Sequence, residues 1–107
     1  MKPKPLRILP QAQDDIAGAV AFYRHEAGGD VALRLVEAVA QQLEAIAQSP
    51  GLGSLRYAVV LRIDGLRCAR PGRFPYLLFY LEGPEEIQVW RMLHNRRDIP
   101  ATLQESD

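Results

Sequence analysis

Phe74-Pro75-Tyr76-Leu77-Leu78-Phe79-Tyr80-Leu81, followed across Gly83-Pro84 by Glu86-Ile87-Gln88-Val89-Trp90-Arg91-Met92-Leu93-His94, is the stretch that decides the fold. Both runs are rich in β-formers, and the Gly-Pro pair between them reads as the turn of an antiparallel hairpin. The first run is apolar at both parities, with Leu77, Phe79 and Leu81 on one face and Phe74, Tyr76, Leu78 and Tyr80 on the other. In the second, Val89 and Leu93 oppose Trp90 and Met92. A strand with one wet face alternates apolar with polar, so these strands are expected to be covered on both faces. Pro75 conflicts with a strand starting at Phe74, because a proline belongs at a strand start or on an edge.

Upstream, Leu66 to Arg70 reads as a third strand, and the segment from Leu55 to Ile63 is ambiguous. At the front of the chain Leu6 to Leu9 is a short strand stopped by Pro10. From Gln11 the period lengthens: Ala12, Ile16, Ala19, Val20 and Tyr23 share one face of a helix that ends near Gly28-Gly29, with Pro10 in its first turn and Asp14 and Asp15 favouring its positive end. Asp30 can cap a second helix with Leu33, Val36, Val39, Ala40, Leu43, Ile46 and Ala47 as its apolar stripe, stopped by Ser49-Pro50-Gly51. The order is β-α-α-β-β-β, an α+β layout in which a helical hairpin packs on one face of an antiparallel sheet. The helices cover one face only. The other cover is either the Leu55 to Ile63 segment or a bound partner.

Of the 107 residues 48% are apolar and 24% charged, enough for one hydrophobic core and hence one domain, placed at 1–100. Residues 101–107 lack an apolar pattern and read as a flexible tail, so truncation after Pro100 is expected to leave the fold intact. No apolar run approaches the roughly 20 residues of a membrane span, and Met1-Lys2-Pro3-Lys4-Pro5 lacks the core of a signal peptide; a cytoplasmic protein without membrane contact is expected. Cys68 is the single cysteine, which removes an internal disulfide and a cysteine zinc site, and no metal or cofactor is expected.

Net charge is zero, but it is unevenly spread. Arg24 and Arg34 face Asp14, Asp15, Glu26, Asp30, Glu37 and Glu44 in the helical half, whereas Arg56, Arg62, Arg67, Arg70 and Arg73 follow with Asp64 alone against them. A basic face can meet phosphate or an acidic partner. The balanced total argues against direct nucleic-acid binding driven by charge.

Three segments together resemble the ParE-type toxins of the RelE/ParE superfamily. Ala12-Gln13-Asp14-Asp15-Ile16 with Phe22-Tyr23 is similar to the family's opening helix. Gly65-Leu66-Arg67, then Gly72-Arg73-Phe74 and Leu78-Phe79-Tyr80, look like its Gly-Leu-Arg strand leading to a Gly-Arg-Tyr strand, and Arg91-Met92-Leu93-His94-Asn95-Arg96-Arg97-Asp98 is close to its terminal strand and Leu-His-x-x-Arg-Asp ending. Pro75 and Phe74 depart from the pattern beside Arg73. The resemblance implies a RelE/ParE-like fold and the toxin of a type II toxin-antitoxin system, of the kind that serves plasmid stabilisation. It implies inhibition of DNA gyrase by binding and a hetero-oligomer with a cognate antitoxin. Carried onto this chain, it puts target contacts at Arg73, Arg91, His94, Arg96 and Arg97, and antitoxin contacts at Tyr76, Tyr80, Arg67 and Arg70.

The superfamily also contains RelE-like endoribonucleases that cut messenger RNA on the ribosome. Such cleavage needs a base, an acid and positive charge on the phosphate. His94, Arg73 and Arg91 are the residues available for it, and His94 would have to lie within about one side-chain length of both arginines. No lysine follows Lys4, and Glu82, Glu85 and Glu86 fall at the far end of the hairpin from His94. His94 is otherwise a hydrogen-bonded strand-end residue, His25 a complement to a helix dipole, and Cys68 a small buried side chain. Three readings stay open: a toxin that binds without catalysis, a nuclease, and an inactive module that only binds antitoxin.

Overall fold

The computed structural model describes residues 4–105. Strand β1 (Leu6–Ile8) runs into helix α1 (Pro10–Ala27), and Leu9 between them has φ −67° and ψ 155°, the extended conformation that a following proline imposes. Gly28, at φ 95°, is the only residue between α1 and α2 (Gly29–Gln48). A side chain is strained at that φ, so the reversal of direction depends on glycine. Asp30 lies in the first turn of α2 and makes no side-chain cap hydrogen bond, contrary to the expected role. Pro50–Leu52 forms a 3-10 turn, and the ambiguous segment after it is helix α3 (Arg56–Leu61), closed by Arg62 in the left-handed region. Then come β2 (Arg67–Ala69), β3 (Tyr76–Glu82), β4 (Ile87–His94) and α4 (Ile99–Glu105). Pro75 stands just before β3, which resolves the conflict in the sequence, and its carbonyl accepts from the Asn95 amide at 2.9 Å.

The four strands form one sheet in the order β1-β4-β3-β2. β2, β3 and β4 pair antiparallel, but β1 runs parallel to β4, with Leu6 opposite Ile87 and Ile8 opposite Val89, so the sheet is mixed and not wholly antiparallel. The outer edge of β2 is closed at Cys68 by Ser54, which exchanges two backbone hydrogen bonds with it at 2.9 Å. Between β3 and β4 the register jumps: Phe79 pairs with Arg91 and Tyr80 with Val89, leaving Trp90 as the extra residue of a β-bulge. The bulge changes parity. Val89 and Met92 therefore share the core beneath the helical hairpin, while Trp90 and Leu93 pack on the other side, where strict alternation from the sequence had grouped them differently.

Both faces of β3 are covered, and the chain supplies both covers. On one, Ala12 and Ala19 of α1 and Leu35, Val39 and Ile46 of α2 pack against Leu78 and Tyr80. The helix stripe is rotated from the expected one, since Leu33 and Val36 stay exposed while Ala32 and Leu35 are buried. The neighbouring apolar rows of α2 are close enough in phase for either to have served. On the second face, Phe79, Leu77 and Leu93 meet Tyr57, Ala58 and Leu61 of α3 and Ile99 and Leu103 of α4. Of the two covers left open by the sequence, the Leu55 to Ile63 segment is the one in place. Residues 101–105 are not the flexible tail expected but continue α4, and Leu103 is only 2% exposed. Residues 106–107 lie outside the described residues.

Candidate interaction site

Most of the expected contact residues gather at two places, and the structure separates those with free side chains from those used by the fold. The first place is the C-terminal end of β4. There β1 has already turned into α1, so the edge of β4 beyond Val89 has no strand partner; Asp15 of α1 takes its place. Its Oδ2 accepts from the Met92 amide at 3.0 Å and from Arg91 Nε at 2.7 Å, and its Oδ1 accepts from Arg91 Nη2 at 3.0 Å. The two side chains are only 13% and 16% exposed, so this is a desolvated fork-to-fork pair. The hydrogen bond to Asp15 holds the pKa of the guanidinium above its ordinary value. Asp15, expected merely to favour the helix dipole, is thus the residue that joins the helical hairpin to the last strand. The sequence offered no signal for it, because the partners are 76 residues apart.

His94 ends β4 with its ring edge-to-face on Tyr76 at 5.3 Å, and its Nδ1 accepts from the Arg96 amide at 3.1 Å. That bond assigns the ring proton of neutral His94 to Nε2. Arg96 and Arg97 follow in an exposed turn, and neither makes a salt bridge among the described residues. Arg73 is exposed in the turn before β3, and its carbonyl, not its guanidinium, is what the neighbouring Arg70 binds. Of the three residues named for RNA cleavage, Arg91 is committed to Asp15, and a phosphate would have to displace a paired carboxylate to use it.

The second place is the loop beside β2. Tyr80, expected on a partner-binding face, is 1% exposed: its hydroxyl donates to the Pro50 carbonyl at 2.7 Å and accepts from the Gly53 amide at 3.0 Å. Burial raises this hydroxyl above its ordinary 10.0, against the opposing pull of the Gly53 amide and Arg67. Arg67 Nη1 donates to the Gly53 carbonyl at 2.7 Å, and Arg70 Nε donates to the Phe74 carbonyl at 2.8 Å. These three side chains latch loops onto the sheet. Tyr76 alone of that set is half-buried beside a groove, against Tyr23, and burial raises its hydroxyl as well.

That groove, of about 310 Å³, runs between α1 and the end of β4 and brings Tyr76, His94 and Arg97 together with Asp14, Gly18 and Phe22. Phe22 is 56% exposed. The available signal for it was position: Tyr23 falls on the core stripe of α1, so its neighbour must point elsewhere. Among the described residues no cluster of His, Cys, Asp or Glu has the makings of a metal site, and no helix is long and apolar enough to cross a membrane.

A helical hairpin laid on a mixed four-stranded sheet, with an arginine-rich turn closing its last strand, is the architecture of the RelE/ParE class. The family model for the ParE toxin of type II toxin-antitoxin systems, parDE, matches residues 6–99, and the chain belongs to this family. Among solved structures it is similar to a chain of the chromosomal ParDE toxin-antitoxin system of P. aeruginosa, at 21% identity and a TM-score of 0.73 over 88% of this chain and 98% of that one. That likeness concerns the fold. Comparison with curated proteins gives no match.

Proposed function

We propose that this ParE-family toxin acts by binding, that its target is DNA gyrase, and that a cognate antitoxin neutralises it in a hetero-oligomer. The observation that carries the binding reading is the Asp15–Arg91 fork. It commits to the fold one of the two arginines, Arg73 and Arg91, that a nuclease centred on His94 would use for the phosphate. What remains at that end of the sheet is Arg96 and Arg97 in an exposed turn, beside a half-buried Tyr76 and His94. Such a set suits contact with a protein surface, where arginine and tyrosine are the favoured anchors. The gyrase assignment rests on family membership. Antitoxin contact is assigned to the exposed apolar side chains and the basic turns, while Tyr80, Arg67 and Arg70 are assigned to the fold.

Induced expression in bacteria without antitoxin, with DNA and protein synthesis followed by pulse labelling, tests the proposal. Early arrest of DNA synthesis is the expected result, and co-expression of the antitoxin should abolish it. Arrest of translation first would replace the binding reading with the nuclease one. No arrest of either would leave an inactive module.

A further inference from the structure

Gly18 lies in the middle of α1 with nothing within 4 Å of where a side chain would begin. A mid-helix glycine costs roughly 0.5–1 kcal/mol relative to alanine, so this opening in the helix wall comes at the expense of stability. It opens the groove between α1 and β4. The floor is apolar, with Ala19 and Met92 at 7% and 2% exposure, and Phe22 stands at the rim. At about 310 Å³ the space sits at the lower end of the roughly 300–1,000 Å³ of ligand pockets, room for one inserted side chain. The charges around it are uneven in availability. Asp15 is consumed by Arg91, and Asp14 is the one carboxylate left on the α1 wall. On the opposite side Arg97 lines the groove, with Arg96 next to it, and neither has a carboxylate partner among the described residues.

We propose that this groove binds an acidic segment of a partner protein, which inserts one aliphatic or aromatic side chain over Ala19 and Met92 and sets an adjacent carboxylate against Arg97. His94 keeps Nε2–H as a further donor, because its Nδ1 is taken by the Arg96 amide. The biological role of the contact rests on the reading of the chain as a binding toxin; the recognition chemistry rests on the groove itself.

The test is an NMR titration of the isotope-labelled full chain with two capped pentapeptides, one with leucine between two glutamates and one with leucine between two lysines. The glutamate peptide is expected to shift the amides of Gly18, Ala19, Met92 and Arg97, and the lysine peptide to leave them unmoved. Gly18→Leu, which fills the opening from a helical position, is expected to weaken that response roughly tenfold, the loss of one anchor contact, while Gly18→Ala retains it. Arg97→Glu should reverse the preference between the peptides. Thermal melts of each variant confirm that it is folded. Absence of localised shifts at millimolar glutamate peptide, an equal response to both peptides, or an unchanged response in folded Gly18→Leu would overturn the proposal. If the peptide result holds while the induced protein arrests no growth, the toxin reading fails and the groove stands.

Discussion

Asp15 on α1 holds Arg91 on β4 by two parallel hydrogen bonds, at 2.7 and 3.0 Å, and takes the Met92 amide with the same carboxylate. Asp15→Asn removes the counter-charge of a largely desolvated guanidinium and turns one of the two acceptor oxygens into an NH2 group. Asp15→Asn is expected to lower stability by about 2–3 kcal/mol, read from the midpoint of urea unfolding. Arg91→Lys should cost less, since the charge remains and only the fork is lost. Equal midpoints for Asp15→Asn and the parent chain would mean that the pair contributes nothing.

Tyr80 fastens the loop after α2 to the sheet. Tyr80→Phe keeps the ring and strands the Pro50 carbonyl and Gly53 amide, an expected loss of about 1–2 kcal/mol. Gly53→Ala should be worse. Its methyl group would fall on the Tyr80 hydroxyl, which belongs to a buried ring that cannot retreat. Hydrogen exchange at residues 50–54 distinguishes local loosening of the loop from global unfolding.

Deleting residues 101–107 removes Leu103 from the core cluster that covers the second face of the sheet. Leu103→Ala alone is expected to cost about 2–4 kcal/mol, and the truncated chain should be worse, with dye binding revealing the exposed face. A truncated chain melting at the parent temperature would return the domain boundary to 100.

Alkaline pH should destabilise the protein. Burial raises Cys68 above its ordinary 9.0 and Tyr76 and Tyr80 above 10.0, with Arg56 partly opposing the shift at Cys68. For each, the unfolded chain releases its proton at lower pH than the folded one. The stability they favour is therefore complete below pH 9 and is lost as pH rises through the folded values. The melting temperature is expected to decline from about pH 9 upward, and Tyr80→Phe should flatten that decline. Slow alkylation of Cys68 at neutral pH, accelerated by urea, is the companion measurement.

The strands and the helical hairpin were legible because their apolar periodicities differ, and the double-sided apolar character of β3 correctly demanded two covers. What sequence could not supply were pairings over long separations. Asp15 looked like a helix-dipole residue because its partner is far along the chain, and β1 carries no mark of whether its neighbour runs parallel or antiparallel. Trp90 is apolar like the residues around it, so nothing in the pattern announced a bulge, and the parity past it was misjudged. Leu103 was missed because one buried leucine on a two-turn helix makes no periodicity. The proposed contact residues were legible as types and not as states: Arg91 and Arg97 look alike in the sequence, and only geometry shows that one is clamped and the other exposed.

The parallel seating of β1 against β4 has a consequence for how the protein comes into being. The first strand must wait for the ninth decade of the sequence before its edge is filled, and α4 closes the second face later still. At roughly 5–20 residues per second, the stretch from α1 to the end of β4 takes about 4–17 s to appear, and for much of that time the nascent chain holds α1 and α2 without the strands they pack on. The second face of the sheet therefore stays bare until the residues of α4 have been made, and the groove beside α1 exists only once β4 has been laid against it.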